Sequence, residues 1–321
     1  MVDIKIVNSK DEWNSKLLKT ENYNVFSSYE WGEYKSSSWK VNRLAFYKGG
    51  NFLGQSQFLM KDKYKIVVAW NSGGINLVNY KSLELIVEAI KDYFKEYTYN
   101  FRFNFYDVNK GEKLYIMTNI LDVSEKRVNS GFSLIHYLKK DSDLLKNMSS
   151  KHRYYYKKAT KNDFMVRSGS IDLVDDFVSL HHEMILSKDL SHLKIDKNDI
   201  INLYNNFENN FLIFSVYLND KVVSSCLILM YENHAFYYLA ASNEIGRKTY
   251  ASYFMVKELL DYLLEHNITQ FDFAGITPYD KNATGVNKFK IGFGGELVNY
   301  LGEWELSNSK FLTKFINKVY L

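Results

Sequence analysis

A pattern written twice at one fixed offset constrains this chain more than any single motif, because a repeated order of strands and helices implies a repeated fold unit. Phe46-Tyr47-Lys48-Gly49-Gly50 followed by Asn51 to Met60 reads as a strand, a tight turn on two glycines and a second strand. Val216-Tyr217-Leu218-Asn219-Asp220 followed by Lys221 to Met230 repeats it, and 216 − 46 gives an offset of 170. Downstream of the first hairpin come Asn71-Ser72-Gly73-Gly74 at a strand end, an amphipathic helix across Leu83 to Tyr97 and the aromatic strand Phe101 to Tyr106. The second copy keeps that order with Phe236 to Ala241, a helix from about Thr249 to His266 and the strand Phe271-Asp272-Phe273, and Phe271 again follows Phe101 by 170. Tyr253, Met255, Val256, Leu259, Leu260 and Leu263 are spaced for one buried stripe, which makes the second helix a core element.

Hairpin, strand, helix and strand is the core order of an acetyltransferase-type (GNAT) lobe, an order that other α+β folds share. The expectation is an α+β protein of two fused GNAT-like lobes with mixed sheets. Residues 1–147 form the first lobe and 148–304 the second, with 305–321 packing back on the first. A chain of 321 residues with 46% apolar residues, 26 Tyr and 22 Phe can fill two cores, and its single Pro leaves no stiff spacer between them. A final helix from about Asn308 to Leu321 should pack Phe311, Leu312, Phe315, Ile316 and Val319 inward.

The net charge of +4 suits a phosphate-bearing ligand but falls well short of a dedicated nucleic-acid binder. Cys226 lies alone in the apolar run Val222 to Leu229, so it reads as a buried structural thiol, without disulfides or thiolate metal sites. Neither the charged start of the chain nor any apolar window is built to cross a bilayer, so a cytoplasmic protein is expected, one that touches a membrane only peripherally.

Several segments could bear chemistry. Gly285-Val286-Asn287-Lys288-Phe289-Lys290-Ile291-Gly292-Phe293-Gly294-Gly295-Glu296 combines glycines that let a ligand approach the backbone with Lys288 and Lys290, which an extended segment would project to one face. Such a segment could hold a phosphate or steady an oxyanion, or be a bulged Gly-rich edge strand. Asp107, ending the strand Phe101 to Tyr106, is placed to orient an amine or take its proton, or to cap a turn. Asn243-Glu244-Ile245-Gly246-Arg247-Lys248 enters the second long helix, where Arg247 would help bind a phosphate, although Asn243 and Lys248 keep only half of an acyl-CoA pyrophosphate loop. Ser149 to Lys161 is a basic, tyrosine-rich helix, with its rings either stacking on a ligand or turned inward. His181-His182 has no third ligand at metal spacing and reads as ordinary helix.

Together these motifs resemble the FemABX family of aminoacyl-tRNA-dependent peptidyl transferases. Phe26-Ser27-Ser28-Tyr29-Glu30-Trp31-Gly32-Glu33-Tyr34-Lys35 is similar to the family's early W-x-x-Y/K element, and Phe105-Tyr106-Asp107-Val108 to its Asp-rich strand end. Lys151 to Lys161 looks like its basic helix, and Tyr237-Tyr238-Leu239-Ala240-Ala241-Ser242 like its Tyr-rich strand. Phe271-Asp272-Phe273-Ala274-Gly275-Ile276 and Phe289-Lys290-Ile291-Gly292-Phe293-Gly294-Gly295 resemble its Y-D-F-x-G-I and F-K-x-G-F-G-G motifs. No sustained heptads run from Asp172 to Phe211, so the chain resembles the short, armless branch. The resemblance implies a tandem GNAT-like acyltransferase without metal or bound cofactor. A monomer, it takes an amino acid from the acceptor end of aminoacyl-tRNA and gives it to an amine of a cell-wall (peptidoglycan) precursor. It implies that Lys35 and Tyr238 meet the acceptor while Phe289 and Lys290 lie by the aminoacyl ester; Trp31, Arg247, Lys288 and Gly292 are further substrate-binding candidates, and Lys290 and Asp107 are the catalytic ones. Relatives sharing the fold suggest an alternative, acyl-CoA-dependent N-acylation of an amino-sugar in surface-polysaccharide synthesis.

Overall fold

The computed structural model describes residues 1–140, 143–187 and 194–319. In chain order the elements are β1 (Asp3–Ile6), α1 (Lys10–Leu17), α2 (Tyr29–Lys35), β2 (Lys40–Lys48), β3 (Asn51–Lys63), β4 (Ile66–Asn71), β5 (Ile75–Leu77), α3 (Leu83–Tyr93), β6 (Thr98–Val108), α4 (Gly111–Thr118) and β7 (Asp122–Val123). There follow β8 (Phe132–Tyr137), α5 (Leu144–Asn147), α6 (Ser150–Ala159), β9 (Met165–Gly169), α7 (Val174–Ser187), α8 (Lys197–Phe207), β10 (Phe211–Leu218), β11 (Lys221–Tyr231) and β12 (His234–Ser242). The chain finishes through α9 (Glu244–Lys248), α10 (Ala251–Glu265), β13 (Gln270–Ile276), α11 (Thr284–Ile291), β14 (Glu296–Ser307) and α12 (Lys310–Val319).

These elements divide into two compact units, Met1–Gly131 together with the stretch from Val298 onward, and Phe132–Leu297. The division differs from the one expected at 147/148 and 304/305. The physical reason is strand pairing: β8 runs antiparallel to β13 in the second sheet, and β14 runs antiparallel to β6 in the first. Each unit therefore takes its last strand from outside its own repeat, which hydropathy patterning does not reveal.

In unit 1 the sheet order is β1, β2, β3, β4, β6 and β14, all antiparallel except the β4–β6 pair, with β5 on β3 and β7 on β14. In unit 2 the order is β9, β10, β11, β12, β13 and β8, antiparallel except for the β12–β13 pair. The repeat at 170 extends to backbone detail. Gly49 and Gly50 turn the first hairpin at φ +55° and +79°, and Asn219 and Asp220 turn the second at +51° and +59°. Two consecutive residues with positive φ twist the turn to match its strands, a demand that Gly, Asn and Asp meet at least cost. Both hairpins then break register one step before the turn, at Phe46/Tyr47 and at Val216/Tyr217.

The core of unit 1 packs Phe58, Phe101, Phe103 and Phe105 against Leu83, Ile86, Val87 and Ile90, the i, i+3, i+4, i+7 stripe of α3. That of unit 2 packs Cys226, Ile228, Phe271 and Phe273 against Met255, Leu259 and Leu263 of α10. Burial pushes the Cys226 thiol up, and its Sγ–H faces the Phe214 carbonyl, as expected of a structural cysteine. The long second helix begins at Ala251 rather than Thr249, because Tyr250 takes φ +62° and interrupts the helical path from α9.

Two expectations fail here. Residues 285–291 are helical, not extended. The spacing of Val286, Phe289, Ile291 and Phe293 fits both periods, and burial decides between them. Phe289 and Phe293 pack on Tyr253 at centroid distances of 5.2 and 6.0 Å, whereas Ile291 is 48% exposed. The apolar face of α12 is also only partly inward: Leu312 and Ile316 are half-buried, but Phe311 is 81% and Phe315 48% exposed. Residues 320 and 321, expected in this helix, lie outside the described residues.

Candidate active site

Unit 2 contains the geometry a GNAT-like lobe uses. Strands β12 and β13 pair in parallel over only His234–Phe236 and Gln270–Asp272 and then part. Tyr238 is skipped by the β11 ladder, which runs from Leu227↔Leu239 to Ile228↔Tyr237, so a bulge sits on β12 at the point of departure. On the other side Ala274 takes φ +61° as β13 shifts register against β8 between Asp272 and Gly275.

Lys290 lies against this diverging strand. Its Nζ donates to the Gly275 carbonyl at 3.0 Å and stands 5.7 Å from the centre of the Phe273 ring. Burial pushes the ammonium down to about 8, against the opposing pull of the Asp272 carboxylate. That carboxylate accepts from Ser133 Oγ and from the Ala274 N–H, which pins the strained turn of β13 beside the lysine. Helix α11, which presents Lys290, is fixed at its start by Asn287, whose amide group exchanges two hydrogen bonds with the backbone of Thr277 at 3.1 and 2.9 Å. Being two positions apart on a helix, Lys288 and Lys290 point to different sides, and Lys288 is exposed, contrary to the shared face expected of a strand.

Sequence reasoning missed the residue that holds this region together. His152 is 6% exposed in α6, with Nδ1 at 3.0 Å from Ser149 Oγ and Nε2 at 2.8 Å from the Phe289 carbonyl. Its ring meets Phe293 and Tyr253 edge-on, each at 4.9 Å. Gly292 is glycine because of this histidine: a Cβ there would lie 1.9 Å from His152 Cε1. Gly292 and the Phe289 carbonyl therefore serve packing. The only hint in the sequence was a histidine within a basic helix, which single-chain pattern reading cannot connect to a glycine 140 residues later (292 − 152).

Two of the three tyrosines of the basic helix, Tyr155 and Tyr156, turn toward α10, and Tyr154 is exposed. Tyr155 stacks on Tyr250 at 4.6 Å and 12° and packs on Tyr253 at 4.9 Å, with Lys151 near Tyr155 and Lys158 near Tyr154 and Tyr250. Beside them a cavity of about 420 Å³ is lined by Tyr155, Gly246, Arg247, Tyr250, Ser252 and Phe289, among others. Arg247 is exposed and donates to the Ser242 carbonyl at 3.0 Å. The N–H of Gly246 is not open to a phosphate, since Asn243 Oδ1 accepts from it at 3.0 Å.

In unit 1, Trp31 and Lys35 share α2. Trp31 is buried, donates from Nε1 to Ser72 Oγ at 2.7 Å and meets Phe26 edge-on at 4.8 Å. Lys35 Nζ lies 4.8 Å from the Trp31 ring centre and 4.5 Å from that of Tyr34, an ammonium held over aromatic faces. Asp107 is 6% exposed and its two oxygens accept from Asn22 Nδ2 and Lys113 Nζ, each at 2.8 Å. Both Asp107 oxygens are thus engaged by side chains of unit 1, and no turn N–H among the described residues is seen to be capped by them. Among the described residues no group of three or more His, Cys, Asp and Glu side chains is arranged to hold a metal ion. His181 is buried in α7 and His182 Nε2 faces the Ile195 carbonyl at 2.8 Å.

Known proteins share this architecture. The sequence profile of the FemAB family matches residues 187–320. A stretch of 89 residues is 28% identical to aminoacyltransferase FemA of Staphylococcus aureus, covering 27% of this chain and 21% of that protein. The match thus spans about a fifth of the length of that relative. The crystal structure of FemX superposes with a TM-score of 0.85 at 17% identity, over 98% of this chain and 100% of that one. A tandem GNAT protein from the clavulanic acid biosynthesis pathway superposes with a TM-score of 0.52 at 8% identity, over 96% and 99% of the two chains. The chain thus carries the FemAB profile over its C-terminal part and shares a FemX-like, tandem GNAT-like fold along its whole length.

Proposed function

We propose that the protein is an acyltransferase that moves an amino acid from aminoacyl-tRNA to an amine of a peptidoglycan precursor. The observation that carries this reading is Lys290, a lysine half withdrawn from water at the parting of β12 and β13, with its ammonium lowered to about 8. As an uncharged amine attacks the aminoacyl ester, the new N–C bond forms and the carbonyl oxygen gains negative charge, which the Lys290 ammonium stabilises. The nitrogen then gives up a proton, the C–O bond to the tRNA ribose breaks and the departing oxygen takes a proton, so the amide and the free ribose hydroxyl form with no net proton gained or lost. A lysine lowered toward neutrality is a better donor for that proton than an ordinary one. Phe289 and the tyrosines Tyr250 and Tyr253 bound the cavity for the acceptor end of the tRNA, Arg247 and Lys288 meet its phosphates, and Trp31 and Lys35 of α2 meet the precursor.

Against acyl-CoA as donor weighs the Gly246 N–H, which Asn243 Oδ1 already engages. The test is turnover by the purified protein with charged tRNA and with acetyl-CoA, each alongside a precursor bearing a free amine. Product is expected with charged tRNA alone, and a short charged acceptor stem should suffice. Acylation supported by acetyl-CoA alone would overturn this choice of donor.

A further inference from the structure

Helix α12 is tied to unit 1 by polar contacts as well as by the half-buried Leu312 and Ile316. Asn100 Nδ2 donates to Thr313 Oγ1 at 3.0 Å and Arg102 donates to Asn317 Oδ1 at 2.9 Å, while Ser309 Oγ caps the helix's own first turn by accepting from the Leu312 N–H at 3.2 Å. Held that way, the helix turns Phe311 and Phe315 outward, one turn apart. Lys310, Lys314 and Lys318 form a second exposed row directly beside them, at the same four-residue spacing. No ion pair among the described residues involves any of the three. On the far side of the Phe row, Ile316 borders a groove of about 440 Å³ whose walls include Trp39, Trp70 and the exposed Lys61. Lys61 Nζ lies 4.9 Å from the Trp39 ring centre. The exposed side of α12 thus carries a Phe row edged by lysines, and a groove with Trp walls and its own lysine opens beside Ile316.

We infer that this face of unit 1 docks on a lipid bilayer bearing anionic headgroups. Aromatic rings beside a row of lysines are the chemistry of a helix lying in an interface: the rings enter the acyl boundary while the ammonium groups stay among the phosphates. A second copy of the chain would be a poor occupant, because two such faces would bring unpaired lysine rows together. This inference is independent of the transfer reaction.

The test is co-sedimentation of the full chain with vesicles of neutral phosphatidylcholine and of phosphatidylcholine mixed with phosphatidylglycerol. Binding to the mixed vesicles alone, weakening with added salt, is expected. Each lysine near such a surface changes partition about fivefold, so replacing all three (Lys310→Gln, Lys314→Gln, Lys318→Gln) should weaken binding roughly 100-fold. Phe311→Ser with Phe315→Ser should weaken it about tenfold or more. Both sets change exposed side chains, so the melting temperature should stay put. No binding to mixed vesicles, or binding that both variants retain, would overturn the inference. So would light scattering that shows wild-type dimers abolished by the Phe pair without any lipid binding.

Discussion

Lys290 and Gly292 stand two residues apart in one motif, yet their surroundings differ: Gly292 packs on the His152 ring, while the Lys290 ammonium bonds the Gly275 carbonyl. Lys290→Met removes the charge and keeps the length. Turnover at saturating substrates should fall about 100- to 1000-fold, with melting temperature unchanged or slightly raised because a half-buried charge has gone. Normal turnover in that variant would remove Lys290 from the mechanism. If the ammonium is the working form, turnover of the wild type should decline as pH rises through about 8, the lowered value of Lys290; a rate that climbs there would point to a neutral amine acting as base. Gly292→Ala drives a methyl into the His152 imidazole, and a buried ring locked by two hydrogen bonds cannot swing away. A loss of about 1–3 kcal/mol in stability is expected by thermal or urea unfolding. Asp107→Ala should likewise cost about 1–3 kcal/mol, because it strips one of the two acceptors from buried Asn22 Nδ2 and the carboxylate from Lys113, while the folded fraction keeps its rate. Chain order alone revealed which motif these residues belong to. Roles could not be read from it, because His152, the reason for Gly292, is remote in sequence.

At the scale of elements, hairpins were the most legible feature. Two-residue turns demand positive φ at both positions, and Gly49-Gly50 and Asn219-Asp220 advertise that demand locally. Gly49→Val should therefore cost about 1–2 kcal/mol from backbone strain alone, since a Cβ at Gly49 meets nothing within 4 Å. Long helices with one apolar stripe, such as α3 and α10, were equally readable. Short segments were not: 285–291 satisfies strand and helix spacing alike, and only Tyr253 and His152, packed against Phe289 and Phe293, select the helix. In α12 the apolar period was right, but the face was misassigned. The bonds from Asn100 and Arg102 set its rotation, and neither leaves a trace in the helix's own sequence.

For the whole molecule, the repeat in the sequence yields two lobes, while the source of each lobe's last strand is a tertiary fact. Unit 1 draws β14 from beyond unit 2, where it pairs with β6 from Asn100 to Val108. A fragment of residues 1–131 should thus expose the edge of β6 and prove insoluble or unfolded by circular dichroism, whereas 132–297 holds all six of its strands and should fold. Unit 2 should also lose stability in acid. Burial holds His136 down to about 4 and lowers His152 as well, so both favour the neutral form when folded. Their contribution is full above about 6.5, the ordinary histidine value, and is lost as pH falls from there through the folded values. Melting curves between pH 7 and 4 should show that decline. The sequence by itself determined the repeat, the turns and the striped helices, since each depends on neighbours within a few residues along the chain. Only the tertiary structure decided which strand closes each sheet, which face α12 presents, and which of Asp107, Gly292 and Lys290 is engaged in packing, because those outcomes depend on contacts between residues more than a hundred positions apart or on burial that no local pattern encodes.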